Sequence, residues 1–332
     1  MVSPRTRSRA SAGLPKASRL STRIPGACVS LDASGGECCP GGGESPQRPA
    51  RTEEVEVALS KDFAETYGPW AVVTGASSGI GEQFARQLAA AGLHVVLVAR
   101  RGERLERLAQ ELRAGGDVEA LAVALDLSRS DFLEPLLAAC IGKDVGLVVS
   151  NAGTGLKGAH FEASPEKLVT MLDLNCRAPI LLARSFAPRL IERGRGGLLF
   201  TGSVEAVRGF PYSAAYSATK AFVQSFGESL WVELGAHGVD VLVLNPGPTD
   251  TELLPSQGMS SDDMLGLMPP EEVARRALAR LGRGPVFVPG ILNRVMVRFL
   301  SLLPRRLALE IAARGMLDAI AKGQRAGAGG QD

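Results

Sequence analysis

The 332-residue chain is poor in the side chains that build disulfide, metal and histidine-based sites. It has only three histidines, scattered along the chain, which leaves little room for a catalytic apparatus based on histidine. It has five cysteines, none of them in a CxxC pair, at Cys28, Cys38, Cys39, Cys140 and Cys176. A disulfide framework and a metal site are therefore not expected, and the chain is predicted to be cytoplasmic.

Long apolar runs and a strong net charge are also missing. No run of about 18 or more apolar residues occurs, so the sequence predicts no transmembrane helix. The formal charge of +2 argues against a strongly basic nucleic-acid binder, and no nucleic-acid partner is expected. With 45% hydrophobic and 22% charged residues, the chain has the composition of an ordinary globular protein.

The chain has two compositions. Residues 1–50 contain six Pro, seven Gly and eight Ser and carry a charge of +4, which predicts a disordered extension over residues 1–60. The first 30 residues hold six basic side chains and no acidic one, as an organelle transit peptide would. The alternative is an extension without function. The last residues, 323–332, are rich in glycine and predict a frayed tail.

Between residues 61 and 290, short apolar runs alternate with amphipathic segments. The apolar runs predict strands over 70–74, 94–98, 118–124, 145–150, 198–201, 239–244 and 286–288. The amphipathic segments predict helices over 79–91, 101–114, 131–141, 165–192, 214–234 and 270–281. This alternation favours one α/β domain, a doubly wound parallel sheet of about seven strands with helices on both faces, the Rossmann fold.

A glycine-rich turn follows the first predicted strand. Residues 74–81 read T-G-A-S-S-G-I-G, where a strand ends and a helix begins. Free backbone N–H groups and the helix dipole favour an anion at such a point, so we expect a phosphate there. A P-loop is excluded because Glu82 follows Gly81 instead of the Lys that it requires. Tight packing without a ligand is the alternative explanation of the turn.

Together with five further features, this turn makes the chain resemble the short-chain dehydrogenase/reductases over about residues 65–290. Asn151-Ala152-Gly153 ends the fourth strand, and Asn175 lies in the long helix after it. Ser203 ends the fifth strand, and Tyr216 and Lys220 form a Y-x-x-x-K motif. The sequence from Asn245 to Thr251 is similar to the family's P-G-x-x-x-T segment.

The resemblance implies four catalytic residues. Tyr216 and Lys220 lie four apart on a predicted helix and so share one face, where the ammonium is expected to lower the pKa of the phenol. Tyr216 would act as general acid or base, and Ser203 would stabilise the substrate oxygen. Asn175 would hold a water in the proton path. An isomerase or dehydratase of the same fold, or a non-catalytic nucleotide sensor or scaffold, remains an alternative.

The end of the second predicted strand indicates the cofactor. An acidic residue there would accept a hydrogen bond from the ribose of NAD, but this chain has Arg100 and Arg101. Two guanidiniums suit a 2′-phosphate, which predicts NADP(H) in preference to NAD(H). A solvated helix start is the alternative. The expected cofactor-binding residues are Gly75, Ser77, Ser78, Gly79, Ile80, Gly81, Arg100, Arg101, Asp126, Leu127, Asn151, Ala152, Gly153, Tyr216, Lys220, Pro246, Gly247 and Thr249.

The substrate is expected to be a small hydrophobic molecule, such as a ketone, an aldehyde, or a fatty-acyl or steroid-like compound. The segment after Thr251 is rich in Leu and Met and follows a strand, where ligands of open α/β sheets bind. Ordinary loop packing would also explain it. Glu205 would contact a polar group of the substrate or face water.

Residues 291–322 predict basic amphipathic helices, broken at Pro304. Such helices can lie on a membrane, here through residues 291–306, and they can equally cover the substrate pocket or a partner subunit. Members of the resembled family form homodimers or homotetramers through two long helices, here 165–192 and 214–234.

Overall fold

Strands and helices alternate from residue 70 to residue 287. The computed structural model describes residues 61–260 and 264–328. The strands are β1 (Trp70–Thr74), β2 (His94–Ala99), β3 (Ala120–Ala124), β4 (Val145–Ser150), β5 (Gly197–Thr201), β6 (Asp240–Leu244) and β7 (Val286–Phe287). The helices are α1 (Lys61–Tyr67), α2 (Gly79–Ala90), α3 (Gly102–Gly115), α4 (Leu133–Ala139), α5 (Pro165–Leu172), α6 (Ala178–Arg193), α7 (Ala214–Gly235), α8 (Leu253–Ser256), α9 (Pro270–Leu278), α10 (Ile291–Leu302) and α11 (Arg305–Ala328).

The strands form one parallel sheet in the order β3-β2-β1-β4-β5-β6-β7. This confirms the doubly wound Rossmann fold predicted from the alternation of apolar and amphipathic segments. The chain leaves β1 toward β2 on one side, and β4 lies on the other side of β1. The carboxyl ends of these strands therefore border a crevice, which is where doubly wound sheets bind ligands.

Helices cover both faces of the sheet, because neighbouring strand residues point to opposite sides. Val73 of β1 packs with Phe84 of α2 and Leu105 of α3 in one buried cluster, which α9 also joins. Val72 packs with Phe186 of α6 in the other, together with α4 and α7. Burial on both faces explains why the strands read as continuous apolar runs.

The long helix predicted over 165–192 is interrupted. A π-helical turn at Asp173–Arg177 separates α5 from α6. Pro179 accounts for the break, since it has no N–H to donate to the carbonyl of Asn175 and its ring crowds that carbonyl. The sequence prediction of one continuous helix was therefore wrong at this point.

The sequence predicts a disordered extension at the start of the chain and a frayed tail at its end. The extension predicted over 1–60 lies outside the described residues. At the other end, α11 continues to Ala328, so most of the segment predicted as a frayed tail from 323 is helical. Among the described residues, no helix is both long enough and apolar enough to cross a bilayer.

Candidate active site

The glycine turn joins β1 to α2 with its backbone tightly folded. Gly75 and Gly79 have φ of +69° and +58°, a backbone conformation that residues other than glycine rarely adopt. A Cβ on Gly81 would lie 2.2 Å from the carbonyl oxygen of Gly75. The absence of side chains leaves the first N–H groups of α2 at the cavity wall, beside Ser77 and Ser78. This geometry suits the pyrophosphate of a dinucleotide.

Arg101 reaches this turn from the start of α3. Its guanidinium donates to Ser77 Oγ at 2.9 and 3.1 Å and to Ser78 Oγ at 2.5 Å. It also donates to Glu252 at 2.6 Å, and Arg104 shares the same carboxylate at 2.6 Å. Arg101 is thus held at the cavity rim beside the turn, although its side chain is still 43% exposed.

Asp126 and Leu127 line the cavity after β3. The backbone N–H and the hydroxyl of Ser128 donate to Asp126 Oδ1 at 3.0 and 2.7 Å. Partial burial opposes ionisation of Asp126, but these hydrogen bonds hold its pKa below the ordinary value. Asp126 therefore both stabilises the turn after β3 and lines the cavity.

A single cavity of about 800 Å³ joins the glycine turn to Tyr216. It is lined by every residue of the predicted cofactor-binding set except Gly81, and by Ser203 of the predicted catalytic set. Gly81 lies behind the turn, where its contribution is the close backbone packing. Asn175 is also outside the lining.

Asn151, which follows β4, forms hydrogen bonds with the ends of β1 and β5 at the crevice. Its N–H donates to Thr74 Oγ1 at 2.9 Å, its side-chain amide donates to the Thr74 carbonyl at 3.2 Å, and its Oδ1 accepts from Thr201 Oγ1 at 3.1 Å. The ends of β1, β4 and β5 are thereby held in register around the middle of the cavity, where Ala152 and Gly153 also lie.

Asn175 sits in the π-helical turn and is 1% exposed. Its amide donates to the Thr154 carbonyl at 2.8 Å and to Thr219 Oγ1 at 3.0 Å, while its Oδ1 accepts from Thr154 N at 3.0 Å. It thus joins the loop after β4 to α7, next to Lys220. A Cβ on Gly153 would lie 3.3 Å from both Asn175 Oδ1 and Lys220 Nζ.

Tyr216 and Lys220 lie on the first two turns of α7 and are both buried. Lys220 Nζ donates to the Thr201 carbonyl at 2.8 Å and lies 5.6 Å from the centroid of the Tyr216 ring. Burial lowers the pKa of Lys220 to about 8, although electrostatic interactions with Cys176 and Glu205 oppose this. The ammonium therefore remains mostly protonated at neutral pH.

The pKa of Tyr216 is raised above its ordinary value, opposite to the prediction from the Y-x-x-x-K motif. Burial is the largest cause, and the negative charge of Glu205 adds to it; hydrogen bonding with Ser203 lowers the pKa in part. The spacing of the motif placed Lys220 correctly but did not reveal Glu205. The phenol is thus held protonated.

Ser203 ends the loop after β5. Its N–H donates to Asn245 Oδ1 at 3.1 Å, and its Oγ accepts from Glu205 N at 3.2 Å. Asn245 in turn donates to Gln224 Oε1 of α7 at 2.7 Å. The backbone of Ser203 is therefore fixed to the end of β6, and its hydroxyl faces the cavity near Tyr216.

Thr249, in the loop after β6, is buried, and its hydroxyl donates to the Gly247 carbonyl at 3.0 Å.

The structure adds a polar cluster that the sequence analysis missed in part. Lys157 Nζ donates to Glu205 Oε1 at 2.6 Å and to Ser213 Oγ at 2.8 Å, and Ser213 Oγ donates to Glu205 Oε2 at 2.6 Å. Lys157 Nζ lies 4.5 Å from the centroid of the Tyr216 ring. Burial lowers the pKa of Lys157, and Glu205 offsets this in part. The only sequence signal was a lysine in an otherwise uncharged stretch after β4.

The other end of the cavity is apolar. Its walls come from the segment after Thr251 and from the inner faces of α10 and α11. These wall residues include Leu253, Leu254, Met259, Met264, Met296, Val297, Leu300, Ile311 and Met316. Of the roles that the sequence left open for the C-terminal helices, covering the pocket is therefore the one seen within this chain.

Comparisons with known proteins agree with this architecture. The family model for short chain dehydrogenase matches residues 69–260. The chain is 37% identical over 179 residues to a very-long-chain 3-oxoacyl-CoA reductase of Podospora anserina, covering 52% of this chain and 53% of that protein. It is 32% identical over 234 residues to a 7β-hydroxysteroid dehydrogenase of Clostridium sardiniense, covering 70% of this chain and 90% of that protein.

A solved structure of a short-chain dehydrogenase also matches this chain. A short-chain dehydrogenase from Sphingobium yanoikuyae, in complex with NADPH, matches with a TM-score of 0.64 and 30% identity, covering 72% of this chain and 97% of that one. The chain spans only about half the length of the Podospora reductase that it matches.

Proposed function

The chain belongs to the short chain dehydrogenase family, and on that premise we propose that it is an oxidoreductase that transfers a hydride between NADP(H) and a hydrophobic carbonyl or alcohol. One observation carries the proposal. Tyr216, Lys220 and Ser203 meet in one cavity that also reaches the glycine turn, and the far walls of that cavity are apolar. A small hydrophobic substrate and a dinucleotide can therefore share it.

In this mechanism Tyr216 is the general acid in reduction and the general base in oxidation. When bound, the nicotinamide cofactor supplies the hydride for reduction or accepts it in oxidation. A phenol that burial keeps protonated suits reduction, in which Tyr216 donates its proton to the carbonyl oxygen. The Ser203 hydroxyl donates to the same oxygen as its charge develops. Lys220 supplies positive charge beside the phenol, and Asn175 positions the loop and helix that flank Lys220.

The residues also support a preference for NADP(H) over NAD(H). The two residues directly after β2 are the basic Arg100 and Arg101, and the Arg101 guanidinium already lies against the hydroxyls of the glycine turn. A 2′-phosphate offers Arg100 and Arg101 an anion of matching geometry. The NADPH complex of the Sphingobium relative is consistent with this preference.

Two alternative functions make different predictions for Tyr216 and for the consumption of NADPH. A non-catalytic sensor or scaffold would not need the Tyr216 hydroxyl, and an isomerase or dehydratase would not consume NADPH in proportion to its product. The buried Tyr216, Lys220, Ser203 and Asn175 constellation favours redox chemistry over both.

The test is the oxidation of NADPH with a panel of aldehydes and ketones. Tyr216→Phe removes the proton donor, and we expect the rate to fall by about a hundredfold or more, because general acid catalysis contributes at least that much. Tyr212→Phe is the matched control, since Tyr212 is outside the cavity lining; its rate should stay near that of the wild type. Equal rates in all three proteins would contradict the proposal.

We also propose that the protein is cytoplasmic and contacts membranes peripherally through residues 291–306. Ile291, Val295 and Leu302 lie on one side of α10 and are exposed, whereas Met296 and Leu300 of the same helix line the cavity. Arginines but no acidic residues occur between 291 and 306, so the outer face suits an anionic lipid surface.

We further propose a homodimer or homotetramer formed through the long helices. Val169 and Leu172 of α5, Ile180 of α6 and Trp231 and Val232 of α7 are large apolar side chains on the surface. Apolar side chains grouped on neighbouring helices are typical of a subunit interface.

A further inference from the structure

The wall of the cavity beside Tyr216 carries hydrogen-bond donors that the hydride-transfer mechanism does not use. Lys157 is one of them: its side chain is 3% exposed and is paired with Glu205, which is 14% exposed. A buried ion pair of this kind costs desolvation free energy, and apolar residues of similar volume would often stabilise the fold as well or better. Because the ion pair of Lys157 and Glu205 lies against Tyr216, we infer that it takes part in recognising the substrate.

The hydrogen bonds of Lys157 leave it able to bind a ligand. An ammonium group has three donors. Two of them are used by Glu205 and Ser213, and toward Tyr216 the ammonium meets only the face of the aromatic ring, 4.5 Å from its centroid. The third donor has no oxygen partner among the hydrogen bonds of the described residues, and Lys157 lines the cavity.

Gln257 supplies a second, independent donor. Its Nε2 atom is buried and has no hydrogen-bond partner among the described residues, although Gln257 lines the same cavity. A Cβ on Gly155 would lie 2.3 Å from this Nε2 and 3.0 Å from Cδ2 of Tyr216. The bare backbone of Gly155 thus lets the amide approach the catalytic ring. A buried amide without an acceptor is costly, which points to an oxygen brought in by a ligand.

We propose that Lys157 and Gln257 form a subsite for a second oxygen of the substrate, close to the carbonyl that Tyr216 protonates. Both groups are donors, so the oxygen they bind is an acceptor. The substrate class is then a hydrophobic β-dicarbonyl compound, in which a second carbonyl follows the reacting ketone, with its apolar chain directed toward the Leu- and Met-lined walls. This inference rests on the proposed function.

The test compares two substrates of equal length: a long-chain β-keto ester, and the matched ketone with a methylene in place of the ester carbonyl. The quantity measured is the ratio of their kcat/KM values with NADPH. The β-keto ester is intrinsically more reactive, so the change of this ratio between proteins is the informative result. We expect Lys157→Met and Gln257→Leu each to lower it by about tenfold, the effect of losing one hydrogen bond that involves a charged or otherwise unpaired group.

Two further measurements separate the explanations. Lys167→Met removes an exposed lysine on α5 and should leave the ratio unchanged. Gln257→Leu disturbs no ion pair, so it keeps the test valid if Lys157→Met leaves Glu205 buried without its partner and fails to fold. NADPH binding, followed by fluorescence titration, should be the same in Gln257→Leu as in the wild type.

The outcomes distinguish this subsite from the proposed function. If both ketones are reduced and the ratio is the same in all variants, the subsite is wrong while the oxidoreductase function stands. If Gln257→Leu weakens NADPH binding without changing the ratio, the amide serves the cofactor and the subsite is also wrong. If the wild type reduces neither compound nor any other carbonyl, both proposals fail.

Discussion

Tyr216 lies near two buried lysines that come from different parts of the chain. Lys220 comes from the same helix, four residues further on, and Lys157 comes from the loop after β4. The first was predictable because residues four apart on a helix share a face. The second was not, because nothing in the local sequence around Lys157 says which element it will pack against. Glu205 likewise acts on Tyr216 only through the fold.

Arg101 allows a sharp test of cofactor preference at the residue scale. Arg101 and Arg104 both bind Glu252, but only Arg101 lines the cavity. We expect Arg101→Ser to raise the Kd for NADPH by about tenfold or more and to change the Kd for NADH little, since a charge-assisted hydrogen bond to phosphate would be lost.

Arg104→Ser is the control for this measurement, because it breaks an ion pair with the same carboxylate without touching the cavity. Fluorescence titration of each protein with NADPH and NADH gives the four constants needed. A wild type that binds NADH as tightly as NADPH would show that Arg100 and Arg101 do not select the 2′-phosphate.

At the scale of the element, the break between α5 and α6 shows how one residue changes a helix. The apolar spacing over 165–192 predicts a continuous helix, and both halves are indeed helical. The lost backbone hydrogen bond at Pro179 is absorbed as a π-helical turn, which carries Asn175. Such turns often occur at functional sites, and this one directs the amide of Asn175 toward Thr154 and α7.

The helix α10 carries the prediction of membrane contact. Replacing both Val295 and Leu302 by Glu puts two charges on its exposed side and leaves the cavity lining intact. We expect the fraction of full-length protein that floats with anionic vesicles to fall by about tenfold, because two apolar side chains no longer enter the interface and two negative charges are repelled.

Ile141→Glu serves as the comparison, since Ile141 is an equally exposed apolar residue near the end of α4. Raising the salt concentration should also release the wild type, because the arginines of α10 interact through screened charges. Flotation that is absent in the wild type, or unchanged in the double variant, would refute the contact.

At the scale of the whole molecule, the surface of the long helices predicts self-association. Trp231 is partly exposed on α7, beside the exposed Val232. We expect Trp231→Glu to shift the protein toward the monomer, because a buried charge without a partner is strongly unfavourable at an interface. Size-exclusion chromatography with light scattering measures the mass of each species.

The same measurement includes its own control. Ile141→Glu adds an equal charge to an apolar position outside α5, α6 and α7, and its mass should match that of the wild type. If the wild type is already a monomer at micromolar concentration, the homodimer or homotetramer is not formed and the long helices need another explanation.

The sequence by itself determined the order and type of the main elements and the parallel sheet they form. Apolar runs, helical periodicity and the glycine turn are local features, and local rules of backbone geometry suffice to interpret them. The strands β1 and β4 have the bounds predicted from their apolar runs, and the motifs that place Tyr216 and Lys220 lie within single elements.

Only the tertiary structure decided what surrounds those residues. Lys157, Glu205 and Gln257 are distant in sequence, and they line one cavity because the segments that carry them converge at one edge of the sheet. Burial of Tyr216 itself, together with the negative charge of Glu205, raises the pKa of Tyr216, which the motif alone predicted to fall. The tertiary structure also decided the role of α10 and α11. Their amphipathic pattern left three roles open, and only the packing shows that their inner faces cover the cavity. Burial and contact between remote residues depend on how the chain packs, and no local pattern contains them.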